Sequence, residues 1–278
     1  MSDLVLQNFL EALVLAAALP RRIFVQWGQK WYGVHLGATD IPDEESDPRL
    51  DLEANLYYSQ HDIVSAFCAK HEIQWIGALP SFVIGAAIDS SQSLLFPLLV
   101  YASVQKYLGR PLQFPSDLTA WYAPQSLSSA VLNGYFYEWL ALTPNTGNQL
   151  FNASDDCGFT WAKMWPRLAE HFQMSYVGPD VSPNPGFRER VLKYEPPPHG
   201  RGTRNVSRYK FSFVEWAKDP SHVRAWQELA TKHHLRQSEW KDVGSIFGRA
   251  DFCLQRSYAS IMRYGACETI SYMRLSCA

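Results

Sequence analysis

The order of short patterns between Arg22 and Ile76 constrains the fold of this chain more than any other feature. Arg22 to Trp27 carries the apolar run Ile23-Phe24-Val25 and reads as a short buried strand. Gly28 to Asn55 is loop-rich, with turn signals at Pro42-Asp43-Glu44-Glu45 and Asp47-Pro48-Arg49. The acidic run is expected to be a solvated surface loop. Tyr57 to Lys70 reads as a helix with Ile63, Val64, Ala66 and Phe67 on its apolar side, and Glu72 to Ile76 reads as a strand. Strand, loop, helix, strand is α/β in character.

The flanking segments extend that order. Residues 3–18 read as an amphipathic helix ended by Pro20, with Phe9, Leu10, Leu13 and Val14 at helical spacing. This helix contains Glu11, follows Asp3 and has no basic start, which disfavours a secretory signal. It is also too short for a membrane span. Pro80 to Gly85 reads as a loop, and Gln149 to Asn152 as a strand. Helices are expected at Ser91–Leu108, Leu127–Leu142 and Phe159–Phe172. From Val177 the texture changes to Pro- and Gly-rich breaker clusters, then helix candidates at Phe211–Ala217, Pro220–His234 and Gly244–Arg263. The expected organisation is a core over residues 1–176 and, over 177–278, a Pro-rich excursion with a helical portion packed on it.

Composition removes several function classes. A net charge of -2, with no basic stripe, gives no reason to expect nucleic acid or an anionic membrane. The five cysteines are odd in number and lack C-x-x-C spacing, which argues against a disulfide framework or a zinc knuckle. A reducing, cytoplasmic setting is the expectation. His233-His234 has no partner at metal-ligand spacing and reads as surface. The sequons at Asn152 and Asn205 read as chance.

The residues that bear chemistry cluster at the two ends of the first loop. Lys30 lies in Gln29-Lys30-Trp31-Tyr32-Gly33, and Tyr57 opens the helix in Asn55-Leu56-Tyr57-Tyr58. An ammonium beside a phenol lowers the phenol's pKa and allows proton exchange with a carbonyl oxygen. The plainer alternative is a surface lysine and two half-buried tyrosines. His35 is a candidate second proton carrier, or else a loop histidine bonded to backbone. His61 and Asp62 either brace Tyr57 or face solvent, and solvent is the expectation. Trp31, Trp121 and Tyr122 are candidates to line an apolar substrate pocket, with Asn55 beside them.

These blocks resemble the active-site motifs of the progesterone 5β-reductase/iridoid synthase-like branch of the short-chain dehydrogenases. The similarity continues in order through Pro80-Ser81-Phe82-Val83-Ile84-Gly85, Val100-Tyr101-Ala102, Asn148-Gln149-Leu150-Phe151-Asn152 and Trp161-Ala162-Lys163-Met164-Trp165-Pro166. It implies a Rossmann-like sheet flanked by helices, truncated here, with a helical C-terminal portion. It implies that Lys30 and Tyr57 bind the carbonyl oxygen of an enone, with Asn55 as companion. Two positions depart from the family pattern: Leu56 replaces a usual Phe, and Leu79-Pro80 replaces a usual Arg-Pro.

No Gly-rich turn between a strand and a helix is present to hold a dinucleotide. The expectation is therefore a cofactor-independent isomerase or cyclase, acting on a small apolar polyene or enone such as a terpenoid or polyketide, with Diels–Alder-type closure as one such reaction. The alternatives are an NADPH-dependent enone 1,4-reductase and a non-catalytic relative. A shortened sheet would leave the strand at Arg22–Trp27 with an open edge. A homodimer, or coverage by residues 3–18, is expected in consequence.

Overall fold

The computed structural model describes residues 3–86, 93–155, 158–183, 186–240 and 242–263. Ser91, where one expected helix begins, and Cys157, Cys267 and Cys277 lie outside the described residues. The first part of the chain forms α1 (Asp3–Leu15), β1 (Arg22–Gln26), a 3-10 turn (Gln29–Tyr32), α2 (Leu56–Lys70), β2 (Gln74–Pro80) and β3 (Phe82–Ile84). There follow α3 (Leu95–Tyr107), β4 (Leu112–Gln113), α4 (Leu118–Tyr122), β5 (Leu127–Ser129), α5 (Ala130–Leu142), β6 (Gln149–Ala153) and α6 (Trp161–His171). The last part adds β7 (Tyr176–Val177), β8 (Arg188–Val191), β9 (Val206–Tyr209), α7 (Phe213–Lys218), α8 (Pro220–Lys232) and α9 (Val243–Leu254).

The main sheet is parallel, in the order β1-β2-β6. Its middle strand β2 is buried from Ile76 to Pro80, as a parallel strand covered on both faces should be. Successive side chains of β1 serve opposite faces. Ile23 joins Leu6 and Leu10 of α1 and Val64 and Cys68 of α2. Phe24 packs with Tyr137 of α5, 4.9 Å between ring centroids, beside Phe136, Leu140 and Phe151. At Gly77 a Cβ would lie 2.4 Å from the Trp27 ring and 2.6 Å from Leu150, so the strand can pass only without a side chain. The result is the Rossmann-like α/β arrangement, helices on both faces of parallel strands.

The largest core cluster joins α3 and α6 to α7, α8 and α9, and so draws on both sides of Val177. Tyr101, Trp161, Trp165, Phe213 and Phe247 fill it. The Trp165 indole donates to the Leu112 carbonyl at 3.0 Å, which satisfies the polar atom of a fully buried ring.

Several expectations need correction. On α1 the inward residues are Leu6, Leu10 and Leu13, whereas Phe9 and Val14 are exposed. This helix packs on α2 and Ile23 at the face of the sheet. Among the described residues no strand pairs with the outer side of β1. Pro80 to Gly85 is not a plain loop, because β3 pairs with β5. The Pro-rich excursion contains an antiparallel ribbon, β8 with β9. The last helix stops at Leu254, and the chain then runs extended to bridge Gln125 from Ser260 and Asp43 from Met262.

Candidate active site

A cavity of about 490 Å³ opens at the carboxyl ends of β1 and β2, where open α/β sheets usually take ligands. Trp27, Gly28, Gln29 and Lys30 line it from the end of β1, Pro80, Ser81 and Phe82 from the end of β2, and Tyr57 from α2. Arg249 and Phe252 of α9 and the following Arg256 complete it.

Asn55 joins the two chemical residues. Its side-chain oxygen accepts from the Tyr57 backbone N–H at 3.0 Å and caps α2. Its Nδ2 donates to the Lys30 carbonyl at 3.0 Å. One side chain therefore ties the lysine turn to the tyrosine helix. Gly33, at φ +78, ends the turn in the left-handed region, and a Cβ there would lie 2.4 Å from Leu50 Cδ1. Gly28 leaves bare backbone against the phenol: a Cβ would lie 3.5 Å from both Tyr57 Oη and the Pro80 carbonyl.

The two tyrosines divide their work. Tyr57 reaches the cavity. The Tyr58 hydroxyl donates to the Trp31 carbonyl and accepts from the Leu50 N–H, which fastens the loop onto α2.

Burial sets the proton affinities. It raises the pKa of the half-buried Tyr57 phenol, and the Arg249 charge offsets this only in part. Burial, with the Arg249 charge second, lowers Lys30. Tyr57 is thus a protonated donor at neutral pH. The expected lowering of the phenol by Lys30 is corrected: burial dominates, and the charge that partly offsets it is that of Arg249.

Beneath the site is a polar floor. Asp43 is 0% exposed, not in a solvated loop as expected. It accepts from Gln29 Nε2 and Thr39 Oγ1, each at 2.8 Å, and burial raises its pKa to about 6. Asn152 Nδ2 donates to the Asp43 carbonyl at 3.0 Å, and the Tyr32 hydroxyl donates to Asn152 Oδ1 at 2.7 Å.

The other candidates lie elsewhere. Trp31 is buried below the turn, edge-on to Tyr58 at 5.0 Å and to His61 at 5.4 Å. His35 is half-buried, and burial followed by the Lys30 charge lowers its pKa; its ring does not line the cavity. Trp121 packs on Phe114 in the main core, and Tyr122 is 62% exposed; neither reaches the cavity. His61 does not face solvent: Trp27, Trp31 and Trp75 surround it, and Arg49 bonds both His61 and Asp62. Arg249, Phe252 and Arg256 were not anticipated. The signal available in the sequence was arginine on both sides of the apolar run Phe252-Cys253-Leu254.

Among the described residues no group of three or more His, Cys, Asp or Glu is placed to hold a metal ion. No helix there is long and apolar enough to cross a membrane.

Residues 7–192 match the family described as a PRISE-like Rossmann-fold domain. The chain belongs to that family. Its relatives include a 3-oxo-Delta(4,5)-steroid 5-beta-reductase of Arabidopsis thaliana, 28% identical over 245 residues, covering 86% of this chain and 56% of the relative. The (S)-8-oxocitronellyl enol synthase CYC2 of Camptotheca acuminata is 32% identical over 247 residues, with 86% and 56% covered. An uncharacterised Schizosaccharomyces pombe protein is 25% identical over 265 residues, covering 88% of this chain and 65% of the relative. The chain thus spans 56% to 65% of the length of these relatives. The terminal R domain of the myxalamid PKS-NRPS biosynthetic pathway shares the fold, with a TM-score of 0.54 at 12% identity over 96% of this chain and 57% of that domain.

Proposed function

We propose that this protein is a natural-product enzyme that binds the carbonyl oxygen of an α,β-unsaturated substrate at Tyr57 and Lys30 and stabilises the enol or enolate formed from it. The observation that carries this reading is a half-buried phenol, Tyr57, and a lysine, Lys30, on the wall of one cavity, with one asparagine bonded to both of their backbones. Tyr57 is half-buried and Lys30 is exposed at the cavity mouth, so the phenol acts more strongly than the lysine on charge that develops on the oxygen. Their hold is firmer on an enolate than on a ketone, which is the condition for acceleration. The phenol proton then passes to the oxygen and gives the enol. Trp27, Val34, Phe82 and Phe252 supply the apolar contacts that hold a carbon skeleton in reactive shape.

The names of the relatives, a steroid 5-beta-reductase and enol synthases, support a reductive entry to that enolate. NADPH is the reductant that fits such an entry, and when bound it would supply hydride to the β-carbon. Bare backbone at Gly28 beside Tyr57 Oη suits the approach of its reactive ring. No Gly-rich turn at the start of a helix offers a seat for its pyrophosphate among the described residues.

A redox-neutral reading, isomerisation or ring closure of a terpenoid or polyketide, is second. It is supported by the fact that the proton donors and apolar walls it needs all belong to this chain. Incubation with polyene enones, with and without NADPH, separates the two by product mass. A gain of two hydrogens that requires NADPH supports reduction; an unchanged mass without NADPH supports rearrangement. Turnover unaffected by Tyr57→Phe would sink both.

The outer side of β1, unpaired among the described residues, supports association with a second copy, which sedimentation would read as a dimer. The free thiols Cys68 and Cys253 are consistent with a reducing cytoplasm.

A further inference from the structure

Carbonyl chemistry accounts for Tyr57 and Lys30 but leaves Arg256 unexplained. Arg256 is 2% exposed, yet it lines the same cavity. Its Cζ lies 4.7 Å from the ring centroid of Phe252, 5.2 Å from that of Phe82 and 5.7 Å from that of Tyr258. Among the described residues its Nε, Nη1 and Nη2 make no hydrogen bond, and it has no ion pair. Arginine stays protonated throughout the pH range of a folded protein. Aromatic faces stabilise the cation, but they do not accept from five N–H donors in the plane of the fork. Such donors, buried without acceptors, are costly.

A carboxylate whose field reaches Arg256 is Asp43, and both its oxygens are already engaged by Gln29 and Thr39. The cavity lining includes Lys30, Arg249 and Arg256 and contains no Asp or Glu. A planar donor fork, held by aromatic rings in a cavity of one charge sign, matches a ligand that brings its own oxyanion.

We propose that Arg256 is the recognition point for an oxyanion, carboxylate or phosphate, on the molecule that fills this cavity. Resting on the carbonyl reading above, the substrate is then an unsaturated carbonyl compound with an acidic group at its other end. The second source of the same chemistry is the phosphate of a nucleotide.

Trp27 lines the cavity, so its fluorescence reports on occupancy. The full chain is titrated with 4-oxo-4-phenylbut-2-enoate, with the methyl ester of that acid, and with inorganic pyrophosphate. The acid is expected to bind about 10- to 100-fold more tightly than the ester, the range that a charge-assisted hydrogen bond gives. Arg256→Met should abolish that preference and leave ester binding unchanged. Saturable pyrophosphate binding that Arg256→Met removes, with acid and ester alike, would assign the oxyanion to a nucleotide. Equal binding of acid and ester with no saturable pyrophosphate binding overturns the proposal, as does a preference that survives in Arg256→Met. If Arg256→Met does not fold, Arg256→Gln and Arg249→Met decide: the preference must be lost in the first and survive in the second. An acid preference without any turnover of enones would retain the oxyanion site and reject the carbonyl chemistry.

Discussion

The cavity has two kinds of wall. The wall from β1 and α2 is local: Lys30 and Tyr57 are 27 positions apart, and one asparagine bonds to both of their backbones. The wall from α9 arrives some two hundred residues later. It offers two arginines, Arg249 and Arg256, with Arg256 beside the ring of Phe252. On the proposed reading, the first wall would serve the reacting oxygen and the second would distinguish one skeleton from another, so chemistry and recognition would be encoded at different distances along the chain.

The change that tests this division most severely is Tyr57→Phe. It removes one oxygen and keeps the ring, so Tm should be little changed. Turnover should fall by about 10²- to 10⁴-fold, the usual worth of a positioned proton donor. Phe252→Ala should instead raise KM more than it lowers kcat, because the lost contact serves ground and transition states alike. If Phe252→Ala depressed kcat as severely as Tyr57→Phe, the two walls would not be separable.

Next in size is the polar floor, which binds the first wall to the C-terminal segment. Asp43 bonds Gln29, and its backbone pairs with Ile261 and Arg263. Its folded pKa is raised from 3.8 to about 6, so the folded state holds the proton more tightly than the unfolded state. That contribution to stability is full below about pH 3.8 and is lost as pH rises through about 6. The shift corresponds to about 3 kcal/mol. Asp43→Asn mimics the protonated acid. Urea unfolding between pH 4 and 7 should show the variant gaining on the wild type as pH rises, by up to that amount. A constant difference would mean that Asp43 does not titrate in this window.

Much of the scaffold was legible because its signals are local. The run Ile23-Phe24-Val25 and the helix after Asn55 carry their own periodicity, so β1 and α2 could be placed from the sequence; the strand expected at Glu72–Ile76 runs instead from Gln74 to Pro80. The lysine and tyrosine were legible as a resemblance, not from spacing alone. What could not be read depends on tertiary neighbours. His61 looked solvent-facing because nothing in the sequence places Trp27, Trp31 and Trp75 around it. Asp43 sat among acidic turn residues, and only the returning segment at Ile261–Arg263 buries it. Arg256 falls within the expected helix Gly244–Arg263, but the helix stops at Leu254 and Arg256 lines the cavity. Trp121 and Tyr122 were chosen by residue type, and type does not tell a core ring from a pocket ring.

The smallest expected effect sharpens the comparison most, because it separates holding the fold from holding the chemistry. Asn55 does two things: its oxygen caps α2, and its Nδ2 bonds the Lys30 carbonyl. Asn55→Ala should lose both and cost about 1 kcal/mol through the cap. Asn55→Asp keeps the capping oxygen and adds a negative charge at a helix N-terminus, where it is welcome. It has no N–H to offer Lys30. Stability in Asn55→Asp should therefore return to within about 0.5 kcal/mol of wild type. Turnover should not return with it, since the lysine turn is no longer tied to the tyrosine helix and small misplacements of reacting groups are expensive. If activity and stability recovered together, Asn55 would be only a cap, and the register between Lys30 and Tyr57 would be set by the Tyr58 hydroxyl on the Trp31 carbonyl instead.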